Sequence, residues 1–274
     1  IVLLAALVSL VWTPFEPKAI DLTDRWALPS FPHLLGTDGT GRDILSLVMA
    51  GARTTMFVAI GSGIVASIVG ITLASVGALT PRWAREGMAV LIDVLIAFPV
   101  LLIAMMISSV WGGSLWVVIW SVGIGFGVSI ARVTRPELRR VLHSDHIPAA
   151  RASGLSGTQI LARHPMPNVA PVFIVQLSWS MAVAVLAEAG LSYLGYGASP
   201  TEPSWGVLLA NLQAYIAVHP LAVLWPGLAI TITVLGLNLL GDALREATDP
   251  TLSRGRDPLH PPRASIRHVP EVIS

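Results

Sequence analysis

The feature that most constrains this chain is a series of five apolar runs, at 56–79, 88–110, 115–131, 172–194 and 221–244. Each is about as long as a helix must be to cross the hydrocarbon core of a bilayer. Backbone amides and carbonyls find no partners in lipid, so such runs fold as helices that satisfy their own hydrogen bonds. A further run, 1–12, is too short to span and is expected to be the second half of a spanning helix rather than a signal peptide. The expected fold is all-α and polytopic, with six transmembrane helices. Composition agrees: 54% of residues are hydrophobic, 12% are charged and mean hydropathy is +0.72, more apolar surface than one soluble core of this length uses.

Turn-rich or charged breaks separate the runs: TPRWARE at 80–86, WGGS at 111–114 and GYGASPTEPSW at 195–205. Trp12, Trp111, Trp116, Trp205 and Trp225 fall near expected helix ends, where an indole suits the headgroup layer. With a cytoplasmic amino terminus, the inside segments would be 80–86, 132–171 and 245–274, which hold 13 of the 17 basic residues. Lys18, Arg25, Arg42 and Arg53 are left outside, and the two later external loops hold none. This asymmetry places both termini in the cytoplasm of a multi-pass cell-membrane protein. The expected organisation is a partial first helix with an external segment (1–55), a transmembrane core (56–244) with a cytoplasmic loop at 132–171 and an external loop at 195–220, and a cytoplasmic tail (245–274). The net charge of +1 leaves no footprint of nucleic-acid binding, so no nucleic-acid partner is expected.

Small residues recur every fourth position at Ser62, Ala66, Gly70, Ala74 and Ala78, and again at Gly123 and Gly127. Such stripes let helix backbones approach closely. They serve static bundle packing or, alternatively, a surface along which helices slide. The external segment holds Pro14, Pro17, Pro29 and Pro32, the turn GTDGTG, and an apolar stretch at 44–52 that suits a short helix lying on the membrane surface.

The least membrane-like stretch is DHIPAARASGLSGTQILARHPMPN, 145–168. Asp145 can cap a first short helix whose opening turn tolerates Pro148. Gly154 frees the backbone to turn, Ser156 and Gln159 have the capping-box spacing for a second helix, and Pro165 and Pro167 are expected to end it. Connections within bundles usually take two to eight residues. A connection of this length is either a solvated loop whose arginines enforce topology or an ordered docking surface.

The register Pro148-Ala149-Ala150, then Gly154 and Pro167, resembles the cytoplasmic coupling loop of ATP-binding-cassette importer permeases, whose pattern begins Glu-Ala-Ala. Pro148 stands where that family has glutamate, His164 where it has isoleucine and Met166 where it has leucine. LGTDGTGRDILS (35–46), DVLIAFPVLL (93–102), RHPMPN (163–168), EAGLSYLGYGASPTEPSWG (188–206) and LNLLGDALREATDP (237–250) resemble the "C"-type permease subunit of oligopeptide, dipeptide and nickel importers. The resemblance implies the type I importer permease fold and ATPase coupling through Pro148, Ala149, Ala150, Arg151, Gly154, Arg163 and Pro167. It also implies a second homologous permease, two cytoplasmic ATP-binding subunits that carry ATP and Mg, an extracytoplasmic solute-binding protein, and a peptide substrate. Nickel or another small solute is the alternative within the family.

No phosphate-binding loop can form, because G-x-x-x-x-G-K-[ST] needs a lysine and the only one, Lys18, follows Phe-Glu-Pro. The chain has no cysteine, no H-E-x-x-H pair and no G-x-S-x-G elbow, and its seven histidines are scattered. No catalytic residue, bound cofactor or metal site is expected, and the chain is not expected to be an enzyme. A secondary transporter should show inverted repeats or charges at the membrane centre, and neither is evident. A membrane scaffold would not require an ordered coupling loop.

Two ionisable residues lie inside expected spans, Asp93 and Glu188. Asp93 can pair with Arg82 or Arg85, or reach hydrated headgroups, a structural role. Glu188 shares a helical face with Met181, Ala184 and Ser192. It either lines the translocation path and meets a peptide ammonium group, or makes structural hydrogen bonds to a neighbouring helix or loop, the favoured expectation. The tail after Thr248, with Pro258, Pro261 and Pro262 among four arginines, reads as an extended cytoplasmic segment.

Overall fold

In a computed structural model the described residues, 1–144, 147–148, 152–163 and 165–248, contain helices and no strand. The helices are α1 (Val2–Val8), α2 (Ile44–Leu79), α3 (Arg82–Ala97), α4 (Val100–Trp111), α5 (Leu115–Leu142), α6 (Gly157–Arg163), α7 (Pro165–Tyr193), α8 (Trp205–Leu212) and α9 (Pro220–Thr248). Among the described residues α2, α5, α7 and α9 are each long and apolar enough to cross a membrane. Helices α3 and α4 pass the same test only as a pair, bent by 74° at the break between them. The expected continuous span 88–110 is therefore broken. Pro99 has no amide hydrogen and disfavours a helical residue before it, and Phe98 accordingly sits at φ −87°, ψ 127°.

Helix α2 has 36 residues, about 54 Å at 1.5 Å per residue against a hydrocarbon core of about 30 Å. Its first turns are the stretch expected to lie on the membrane surface. The backbone does not break after residue 52; instead Asp43 caps the helix by accepting from Ser46 N at 2.8 Å, and Ile44, Leu47, Ala50 and Ala52 are buried. The boundary expected at 55/56 thus falls inside one helix. Likewise α5 runs on to Leu142, so the first part of the expected loop 132–171 is helix.

Helices α2 and α5 form the central pair, and their small-residue stripes face each other. A Cβ on Gly123 would lie 2.6 Å from Val65 Cβ, and one on Gly127 would lie 2.6 Å from Val69 Cβ. Either substitution would push the helices apart. Val58, Val65, Val118, Val122, Ala184 and Leu191 form a core where α7 packs against this pair.

At one end, residues 13–43 fold into a cap. Asp38 accepts from Thr40 N, Thr40 Oγ1 and Arg42 N, and pairs with the Arg42 guanidinium at 2.7 Å. Buried His33 bonds through Nδ1 to Asp43 Oδ1 at 3.0 Å, and Trp26 stacks on His219 at 4.1 Å, which ties the cap to the turn before α9. The motif at 35–46 is thus a turn that caps α2. The opposite end, the knob end, carries α6.

Candidate functional site

The knob is built as its turn residues dictate. Ile147 and Pro148 are helical, Ile147 buried and Pro148 exposed. Gly154 lies at φ +81°, a conformation that side chains with a Cβ resist, and nothing stands within 4 Å of where its Cβ would be. Ser156 N then donates to Gln159 Oε1 at 2.8 Å while Gln159 N donates to Ser156 Oγ at 3.4 Å, a reciprocal cap that starts α6. Ile160 is buried, Arg163 is exposed in the last turn, and Leu161 and Met166 pack against a core of Ala74, Ile92, Ala131, Leu138 and Val169. Three expected coupling residues, Ala149, Ala150 and Arg151, and the expected cap Asp145 lie outside the described residues.

Helix α6 stops at Arg163, ahead of Pro165 and Pro167, and the two prolines also open the next helix. They stand in the first turn of α7, where the missing amide hydrogens would have had no intrahelical partner. Pro165 is buried and Pro167 exposed.

Glu188 is 0% exposed. Its Oε1 accepts from Ser204 Oγ at 2.7 Å and from Ser192 Oγ at 2.8 Å, and its Oε2 from Thr55 Oγ1 at 3.3 Å. One carboxyl group thereby joins α2, α7 and the residue that caps α8. Ser192 Oγ also accepts from Ala198 N and Ser204 Oγ from Gly206 N, so the carboxyl group orders the connection between α7 and α8 as well. Beside it Thr54 Oγ1 donates to Pro203 O at 2.7 Å and Trp205 Nε1 to Val48 O at 2.8 Å. Trp205, expected in the headgroup layer, is 1% exposed because its indole finds this carbonyl inside the protein.

Asp93 is not enclosed. Its ion pair is with Arg132 of α5 at 3.6 Å rather than with Arg85, and both side chains are more than half exposed. The other expected partner, the Arg82 side chain, lies outside the described set. Such a pair adds at most about 1 kcal/mol.

Sequence reasoning missed the partners Thr55 and Ser204 and the buried His33–Asp43 contact. Ser192 was within reach of the spacing rule, being four residues after Glu188 on one helix face. Thr55 lies 133 positions from Glu188, where no periodicity points.

The family model described as the inner membrane component of binding-protein-dependent transport systems matches residues 63–254. A putative peptide transport system permease protein of Brucella suis biovar 1 is 36% identical over 252 residues, 92% of this chain and 85% of that protein. A glutathione transport system permease protein of Pectobacterium atrosepticum is 35% identical over 224 residues, 82% of this chain and 74% of the relative. Among solved structures, an inward-facing methionine ABC transporter chain aligns with a TM-score of 0.61 at 17% identity, covering 75% of this chain and 98% of that one, a likeness of fold.

Proposed function

The chain belongs to the inner membrane components of binding-protein-dependent transport systems, and we propose that it is the "C"-type permease subunit of an ATP-driven peptide importer. In this proposal the subunit has six spans, with both termini and the knob in the cytoplasm. It pairs with a second homologous permease and works with two ATPase subunits that hold ATP and Mg and with an extracytoplasmic solute receptor. Support for the peptide substrate comes from relatives named as peptide and glutathione permeases that align over most of the chain. The family is one of transport components rather than catalysts.

The observation that carries the coupling role is the knob itself. Gly154, Ser156 and Gln159 shape a turn that presents Pro148 and Arg163 to solvent, while Leu161 and Met166 anchor it to the helices that would move. Pro148 gives a preset φ in place of the family glutamate's charge, so docking here relies on shape and arginine charge. We assign Glu188 a structural role at the junction of α2, α7 and α8, and Asp93 one at the surface. The decisive experiment coexpresses the chain with its partner subunits and measures ATPase copurification and peptide-stimulated hydrolysis. An active transporter that assembles without any ATPase would refute the proposal.

A further inference from the structure

We propose that the knob end of α3 and α5 holds a binding site for the phosphate headgroup of an anionic phospholipid. A cavity of about 290 Å³ opens there, lined by Ile92 and Asp93 of α3 and by Arg132, Arg135 and Arg139 of α5. Steps of three and four residues bring the three guanidinium groups onto one face of α5, where like charges repel unless a counter-charge joins them. Asp93 is the only carboxylate among the lining residues, and among the described residues its ion pair is with Arg132, at 3.6 Å. Arg135 donates to Arg85 O at 2.9 Å, which is a carbonyl and neutralises nothing. Arg139 Nε is buried without a hydrogen-bond partner. Three fixed positive charges, one partly shared negative charge and an unused buried donor make a site for an anion. Arginine rather than lysine suits phosphate, whose oxygens match its planar fork.

The setting selects a lipid over a soluble anion. Helix α5 is apolar through Ala131 and turns basic at Arg132, so the cavity lies at the depth where hydrocarbon gives way to headgroups. On α3, Val90, Leu91 and Val94 are exposed by 50% or more and Trp83 by 78%. That apolar surface is wasted on a free ion but accommodates acyl chains, with the indole at the interface. The inference rests on the multi-pass placement, and its assignment to the cytoplasmic leaflet rests on the orientation proposed above.

The test uses the assembled complex in nanodiscs of phosphatidylcholine, titrated with fluorescent phosphatidylglycerol. Arg139→Gln should weaken phosphatidylglycerol binding about fivefold, the usual effect of one basic residue at an anionic surface, while Arg139→Lys should stay near the parent. Equal binding by parent and Arg139→Gln would overturn the proposal. So would displacement of the labelled lipid by millimolar inorganic phosphate, which marks a free-anion site. Loss of the ATPase subunits from Arg139→Gln in every lipid mixture would overturn it as well, by showing that the arginines meet a protein. Copurification of the ATPase with the parent is scored separately, so failure of the transporter assignment is not confused with failure of the lipid site.

Discussion

Glu188 offers the sharpest test of how this fold is held. In Glu188→Ala three hydroxyl donors lose their acceptor at once. Thr55 and Ser192 stand inside helices and can turn back to carbonyls four residues earlier. Ser204 cannot, because it caps α8 from an extended backbone at φ −140°, ψ 147°. Interhelical hydrogen bonds in membrane proteins contribute about 0.6 kcal/mol on average and about 1.7 at most, so the two that reach other elements, from Thr55 and Ser204, amount to roughly 1–3.5 kcal/mol before any cavity cost. Glu188→Gln keeps the shape. Its amide oxygen can accept from Ser204 and Ser192, and only the bond to Thr55 must be rearranged, a loss of about 0.6–1.7 kcal/mol. The assay is thermal unfolding of the detergent-solubilised complex, read beside uptake of peptides with free and with blocked amino termini. Alanine should lower the unfolding midpoint well below glutamine, and both variants should treat the two peptides alike. Selective loss of free-amine uptake in Glu188→Gln at unchanged stability would refute the structural assignment and place the carboxylate on the translocation path.

Other expectations follow from the same geometry. Gly154→Leu forces a side chain into φ +81°, at a cost of about 1–2 kcal/mol with no clash to relieve, so uptake and stimulated hydrolysis should fall together while membrane insertion persists. Unchanged ATPase binding and uptake would sink the coupling role. A cysteine at Ser156 in this cysteine-free chain should react with an impermeant reagent only after the cells are opened, and labelling of intact cells would reverse the topology. Gly123→Val places a Cβ 2.6 Å from Val65 Cβ and should destabilise the α2–α5 pair by about 1–3 kcal/mol, measured as a lower unfolding midpoint. Asp93→Asn removes an exposed ion pair and should leave stability within about 1 kcal/mol of the parent.

What could be seen in the sequence was whatever repeats or caps locally. Apolar runs located α2, α5, α7 and α9, and the four-residue stripes found the faces on which α2 and α5 meet. Gly154, Ser156 and Gln159 announced the knob, since each acts on backbone within three residues of itself. The failures share a cause as well. A hydropathy average across 88–110 is carried by the Leu, Ile, Val, Met and Phe around Pro99 and does not register that the ring of Pro99 breaks the ladder. It also starts α2 at Met56, because polar Thr54 and Thr55 and basic Arg53 interrupt the run, although Asp43 caps that helix thirteen residues earlier. The tie from the cap to α9 through Trp26 and His219, and the bond from Thr55 to Glu188, join residues far apart in the chain, which no local pattern encodes.

Both ends have apolar cores, but buried side-chain hydrogen bonds are concentrated at the cap end. At the cap end, directional bonds such as Glu188 to Ser204, Trp205 to Val48 and Asp43 to His33 fix the ends of α2, α7 and α8 in one geometry. At the knob end, Leu161 and Met166 meet Leu138, Val169 and Ile92 through apolar contact, which is less demanding of angle. A partner pressing on the knob would thus load the helices where packing can adjust, and the polar junction at the far end would act as the fixed point. Under the coupling role proposed above, the helices would shift at the knob end and stay joined at the other through Glu188.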